Sequence, residues 1–188
     1  MQRVILVIIE RIFAVIYFMG LVKQIFEIIK RHLGDTVTVI IKNNNGLFLH
    51  TGYITEINED RITLAEEPDS ETGIELNFEN EGEQKIMHIY NTHQIDLMNA
   101  RKTQTLAEKL KDKEKKKVIF SSLKPFLQNR LYFVYRNKKV MHCSSGLFYN
   151  MGIMGISLKL PPFFNQDLNL PYDTILHIYS SDFKDLII

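Results

Sequence analysis

LGDTVTVIIKNNNGLFLHTGYITEINEDRITL, residues 33–64, aligns without gaps onto LQNRLYFVYRNKKVMHCSSGLFYNMGIMGISL, residues 127–158, at an offset of 94. Leu33/Leu127, Asn43/Asn137, Gly52/Gly146, Ile62/Ile156 and Leu64/Leu158 are identical, and upstream Phe26/Phe120 and Lys30/Lys124 match as well. Farther along the offset falls to 89: Ile86-Met87-His88-Ile89-Tyr90 corresponds to Ile175-Leu176-His177-Ile178-Tyr179, and Asp96-Leu97 to Asp185-Leu186. The first block alone is a thin match. Its fixed order, with a helix before it and the His-Ile-Tyr strand after it, identifies a tandem duplication, in which each copy is one structural unit.

Both copies share one grammar. A short helix ends at Leu33 or Leu127. A strand follows, with Val37, Val39 and Ile41 alternating in the first copy and Leu131, Phe133 and Tyr135 in the second, the period of two that a half-buried strand requires. Asn43-Asn44-Asn45-Gly46 is a strong hairpin signal and Asn137-Lys138-Lys139 a weaker one. A second strand bends at Gly52 or Gly146, where glycine permits the curvature of a closed barrel. A turn at Asn58-Glu59-Asp60, or around Gly152, leads into Arg61–Leu64 or Gly155–Leu158. After a variable loop come the His-Ile-Tyr strand, a short turn and a last strand around Ile95–Met98 or Asp185–Ile187.

A helix and five short, bent antiparallel strands predict a small barrel. The expected chain is mainly β with flanking helices: a hydrophobic to amphipathic helix over 1–32, a first barrel over 33–98, a charged linker helix over 99–117 and a second barrel over 118–188. Glu66–Glu83 reads as an acidic, solvated excursion in which only Ile74, Leu76 and Phe78 suggest an extra strand or edge. Pro161-Pro162-Phe163-Phe164 takes its place in the second copy. Asn99–Lys117 is rich in helix formers, with Leu106, Ala107 and Leu110 as its apolar face.

The pattern resembles the Sm-like, SH3-like small barrels. The residues that carry the resemblance are Leu33-Gly34-Asp35-Thr36-Val37-Thr38-Val39, the turn ending at Gly46, and Gly52–Ile57 ahead of Arg61-Ile62-Thr63-Leu64. It covers Gly20–Met98 well and Ser121–Ile187 more loosely. The resemblance implies rings or pseudo-rings joined through exposed strand edges, and in many such proteins the binding of single-stranded RNA. The RNA-contacting residues of that family, an Asp-x-x-Met-Asn turn and a later Arg-Gly, are replaced here by Asn58-Glu59-Asp60-Arg61 and Asn91-Thr92-His93-Gln94. His93 is similar to the histidine in the Lys-His turn of the bacterial Hfq group, without the lysine.

The chain has 188 residues, with 23 basic against 22 acidic side chains. That near balance excludes a strong global field for nucleic acid or anionic lipid, though not a local patch. One cysteine, Cys143, excludes an internal disulfide framework and a thiolate zinc cage. Six histidines without HxH, HxxxH or a CxxC partner argue against a metal site, and no cofactor motif or enzyme signature is present. Cys143 reads as structural, since His142 beside it in a strand faces the other way.

Two function classes remain. The first is a non-catalytic module that forms a homo-oligomer or docks a protein partner through barrel edges and the N-terminal helix. The repeated His88, Tyr90, His177 and Tyr179, with His93, are its candidate binding residues; His88/Tyr90 and His177/Tyr179 are expected on a semi-exposed or inter-barrel face while Ile89 and Ile178 fill the cores. The alternative is nucleic-acid binding by Lys109, Lys111, Lys113, Lys115, Lys116 and Lys117 with an exposed aromatic such as Tyr132.

Val4–Val22 holds nineteen positions with only Glu10 and Arg11 charged. Its apolar residues about balance two charges that cost about 2.5–3.5 kcal/mol each at a bilayer centre. Two readings follow: a helix buried against another subunit, or a membrane anchor. For a spanning segment, Lys23, Lys30 and Arg31 outnumber Arg3 and place the remaining chain in the cytoplasm, a compartment consistent with the missing disulfides.

Overall fold

The computed structural model describes residues 23–58, 60–70, 72–78, 84–161 and 166–187. A helix over 23–30, α1, precedes β1 (Thr36–Asn43), β2 (Gly46–Ile57), β3 (Arg61–Ala65), β4 (Ile74–Asn77), β5 (Gln84–Asn91), β6 (Ile95–Asp96) and β7 (Arg101–Lys102). Then come α2 (Leu106–Lys109), α3 (Lys113–Leu123), a 3-10 turn (Lys124–Phe126), β8 (Arg130–Asn137), β9 (Val140–Met151), β10 (Gly155–Leu160), β11 (Gln166–Pro171) and β12 (Ile175–Tyr179). The chain is mainly β, in two antiparallel sheets ordered β4-β3-β2-β1-β5-β6-β7 and β11-β10-β9-β8-β12. Apart from β6 and β7 the orders coincide, strand for strand, as a duplicated unit requires.

Local chemistry explains the strands. Asn44 and Asn45 form a two-residue loop between the paired Asn43 and Gly46, and the Asn45 N–H donates to Asn43 Oδ1 at 2.8 Å. Gly46 stands at φ +140°, a conformation that L side chains rarely adopt. Val37, Val39 and Ile41 join Ile29, Ile54, Ile62 and Leu64 in the first core. Leu131, Phe133, Phe148, Ile156 and Leu158 build the second with Ile119 and Leu123. A third apolar cluster joins the two sheets: Ile40, Tyr90, Val134, Met141, Leu176 and Tyr179. Alternation along β1 turns Ile40 to this joint while Val39 and Ile41 face the first core.

Several expectations change. The expected last strand shrinks to the two residues of β6 in the first copy and a single bridge, Tyr179 to Asp185, in the second. The remaining strand of each sheet is β4 or β11 at its edge. β4 falls where Ile74, Leu76 and Phe78 suggest an extra strand or edge, and only Leu76 of its four residues is buried. The linker is not one helix. Arg101–Lys102 pairs with β6, and two caps divide the rest. Thr105 caps α2 in a reciprocal box with Glu108, and Asp112 caps α3 by accepting from the Glu114 and Lys115 N–H groups. α3 then runs past Lys117 and buries Ile119 and Leu123. The first helix ends before Leu33: the chain turns after residue 30 and passes through Gly34 at φ +83°, and Leu33 is 56% exposed. The proposed anchor, residues 4–22, lies outside the described residues. Among those described, no helix is long and apolar enough to cross a membrane.

Candidate functional site

Strand alternation sends Ile89 and Ile178 into their own cores and leaves His88, Tyr90, His177 and Tyr179 on the opposite faces. There the two copies meet, and all four side chains are buried. The expected inter-unit placement holds; a semi-exposed one does not. Each histidine reaches the tyrosine of the other copy: His88 Nε2 lies 2.5 Å from the Tyr179 hydroxyl, and His177 Nε2 lies 2.7 Å from that of Tyr90. The imidazoles stack on each other with centroids 4.1 Å apart. Behind each stands an aspartate, Asp96 at 2.7 Å from His88 Nδ1 and Asp185 at 2.6 Å from His177 Nδ1. This reciprocity, in which i contacts j and j contacts i, is that of a two-fold dimer interface, here within one chain.

The protons can be assigned. Burial pulls the His177 pKa down, helped by His88 and opposed by the Asp185 hydrogen bond. Burial pushes both carboxyls up, but the hydrogen bonds and charge of their histidines outweigh it, so Asp96 and Asp185 titrate below the ordinary range. Asp96 also accepts from Asn99 Nδ2 at 2.6 Å and from the Met98 N–H at 3.1 Å; Asp185 accepts from the Ile187 N–H at 3.1 Å. Burial lifts the Tyr90 and Tyr179 hydroxyls far above their usual value. Each Nδ1–H therefore donates to an aspartate, and each Nε2 accepts from a tyrosine O–H. Two Asp-His-Tyr chains cross the joint in opposite senses.

Replacing Tyr90 or Tyr179 by phenylalanine leaves an imidazole nitrogen buried without its donor. Each change is expected to cost about 1–3 kcal/mol, read as a lower urea midpoint. His177 also gives acid sensitivity. His177 is neutral when folded, whereas the unfolded side chain takes a proton near pH 6.5. Its contribution is present above 6.5 and is lost as pH falls below it. The aspartates act in the same direction at lower pH, contributing above 3.8 and losing this as pH falls through their depressed folded values. Urea midpoints should be level between pH 8 and 7 and fall from about pH 6.5 downward; a rise on acidification contradicts the assignment.

The other candidates are dispersed. His93 is exposed in the turn after β5, its N–H held by Asn91 Oδ1. Lys111, Lys113, Lys115, Lys116 and Lys117 are exposed, while Lys109 is half-buried and donates to the Ile187 carbonyl at 2.6 Å. Tyr132 corrects an expectation: it is not an exposed stacking platform. Phe133 takes the core side of β8, so Tyr132 falls on the joint side, where it is half-buried and stacks on Phe183 at 4.9 Å. Cys143 packs against the same joint, and burial pushes its thiol up to about 12, so it is no thiolate at neutral pH.

Sequence reasoning gave no role to Asp96 and Asp185. The available signal was an aspartate repeated eight residues after the histidine in both copies. It also missed Arg101 and Lys102, which line a cleft of about 1120 Å³ together with His88, His177, Tyr179 and both aspartates. No protein-family model, curated protein or solved structure matches the chain.

Proposed function

We propose that the chain is a non-catalytic interaction module, two Sm-like, SH3-like barrels fused into one pseudo-symmetric body that docks a protein partner or assembles with itself. One observation carries this reading: the repeated histidines and tyrosines bond to one another. Among the described residues the only buried side-chain polar atoms without a partner are Arg61 Nε and Thr63 Oγ1, neither of them in the cluster. Each imidazole spends one ring nitrogen on an aspartate of its own copy and the other on a tyrosine of the other copy, so the bonds that engage it also hold the two copies together. Such a body needs no cofactor.

The docking elements in this reading are the sheet edges and the N-terminal segment. β4 and β11 are edge strands with mostly exposed side chains, and an edge with unpaired backbone groups is a template for another strand. Residues 4–22 supply attachment, to a second subunit or to a membrane with the barrels on its cytoplasmic side. The nucleic-acid alternative is weakened by the place of Tyr132, half-buried in the joint and stacked on Phe183.

The test compares the full-length protein with a chain beginning at Gly20, by carbonate-washed membrane fractionation and by mass determination of the soluble fraction. The shorter chain keeps Ile25, Ile28 and Ile29, the α1 residues packed on the first core, so it should fold. The full-length chain should pellet with membrane or form an oligomer, and the truncation should release it. Two soluble, monomeric proteins overturn the reading.

A further inference from the structure

We propose that the cleft beside the histidine pair binds a small phosphate-bearing ligand, with its phosphate on the Arg101–Lys102 rim. Three elements bring cations to this one place: Arg101 and Lys102 from β7, Lys109 from α2 and Lys115 from α3. The lysine run of residues 109–117 thus divides, and only Lys109 and Lys115 of it line the cleft. Four cations face two carboxylates there. Arg101, Lys102 and Lys115 form no ion pair among the described residues.

The two carboxylates are already engaged. Asp96 accepts from His88, Asn99, Ile89 and Met98 through both oxygens, and Asp185 accepts from His177 and Ile187. They hold the imidazoles in place and keep their charge, so four cations against two carboxylates leave the cleft net positive. No carboxylate is in salt-bridge contact with Arg101, Lys102 or Lys115 among the described residues. The backbone fixes that rim. Ala100 sits at φ +51°, a left-handed conformation costly for a residue with a Cβ. The pairs Asp96–Arg101 and Ile95–Lys102 hold the chain there. Strain of this kind persists where the surroundings over-determine the backbone, and it clusters at ligand clamps.

Ligand class follows from these groups. Arg101 and Lys102 both line the cleft, and guanidinium and ammonium groups match the oxygens of a phosphate mono- or diester. Ile28 and Met98 give the cleft an apolar wall for the rest of the molecule, and the volume suits a nucleotide-sized compound rather than an inorganic ion alone. The shared chemistry could come from a soluble nucleotide or from a phospholipid headgroup.

The experiment uses the full-length protein. Binding of ATP is measured by calorimetry, and binding of phosphatidylcholine vesicles containing phosphatidylglycerol by flotation, each at two salt concentrations. The parent is compared with the double variant Arg101→Gln/Lys102→Gln and with Lys113→Gln/Lys117→Gln, whose lysines lie outside the cleft. All four side chains are exposed, so both variants should melt with the parent. Saturable, salt-weakened binding is expected, with ATP marking a soluble ligand and vesicles a lipid headgroup. The rim variant should lose about tenfold in affinity and the control variant less than about twofold. Absence of binding to either probe at millimolar concentration overturns the proposal. Equal losses in the two variants also overturn it, since they would show diffuse surface charge rather than a site.

Discussion

Asp96→Ala should be among the most destabilising single substitutions in this protein, lowering unfolding free energy by about 3–5 kcal/mol, since each buried donor left without an acceptor costs about 1–3 kcal/mol. The side chain is buried, and its two oxygens take the His88 Nδ1–H, the Asn99 amide and the Ile89 and Met98 N–H groups. Alanine leaves four donors without an acceptor and removes the charge that fixes the His88 tautomer. With Nδ1–H unanchored, Nε2 is no longer held as the acceptor for Tyr179, so the loss reaches the second copy. Asp185→Ala should cost less, because Asp185 is less buried and accepts fewer bonds. Urea denaturation followed by tyrosine fluorescence checks both. Equal and small effects would mean that the aspartates are solvated and the Asp-His-Tyr chains do not form.

Gly52→Val should cost about 3 kcal/mol or more, near the upper end for overpacking, because the obstruction is backbone. A Cβ at Gly52 would lie 2.6 Å from the Ala65 carbonyl oxygen and 3.3 Å from its carbon. No rotamer relieves that; β2 and β3 must separate near the Tyr53–Ala65 pair. At Gly146 the equivalent Cβ meets the Lys159 carbonyl oxygen at 2.9 Å, so Gly146→Val should destabilise in the same way but less. For a chain of this length each kcal/mol moves the melting temperature by about 2–4 °C. Variants that melt with the parent would contradict the strand placement at these glycines.

Both glycines were legible in the sequence because the duplication repeats them at equivalent places. The strands β1–β3 and β8–β10 were legible for the same reason, their apolar alternation recurring at one offset. β11 was not, and β4 showed only in the spacing of Ile74, Leu76 and Phe78. They are exposed edges held by backbone pairing to β3 and β10, and backbone pairing leaves little mark on side-chain pattern. Asn99–Lys117 reads as one helix because its residues favour helix, yet Thr105 and Asp112 each offer a side-chain oxygen to backbone N–H groups and start a new segment.

The candidate site divides along a similar line. His88, Tyr90, His177 and Tyr179 stand out in the sequence because they repeat within matched strands. Their crossed pairing does not, since it depends on how one sheet meets the other, and Tyr132 was misplaced for the same reason. The cleft is still less legible: Arg101, Lys102, Lys109 and Lys115 are neighbours only after a two-residue strand and two separate helices have folded.

Ring-proton nuclear Overhauser effects between His88 and His177 in the full-length protein test the central claim, that the two copies form one body through their paired histidines. With centroids 4.1 Å apart, direct cross-peaks between the two imidazoles are predicted, together with contacts from His88 to Tyr179 and from His177 to Tyr90. Cross-peaks confined within each copy, with both sheets otherwise folded, would contradict it.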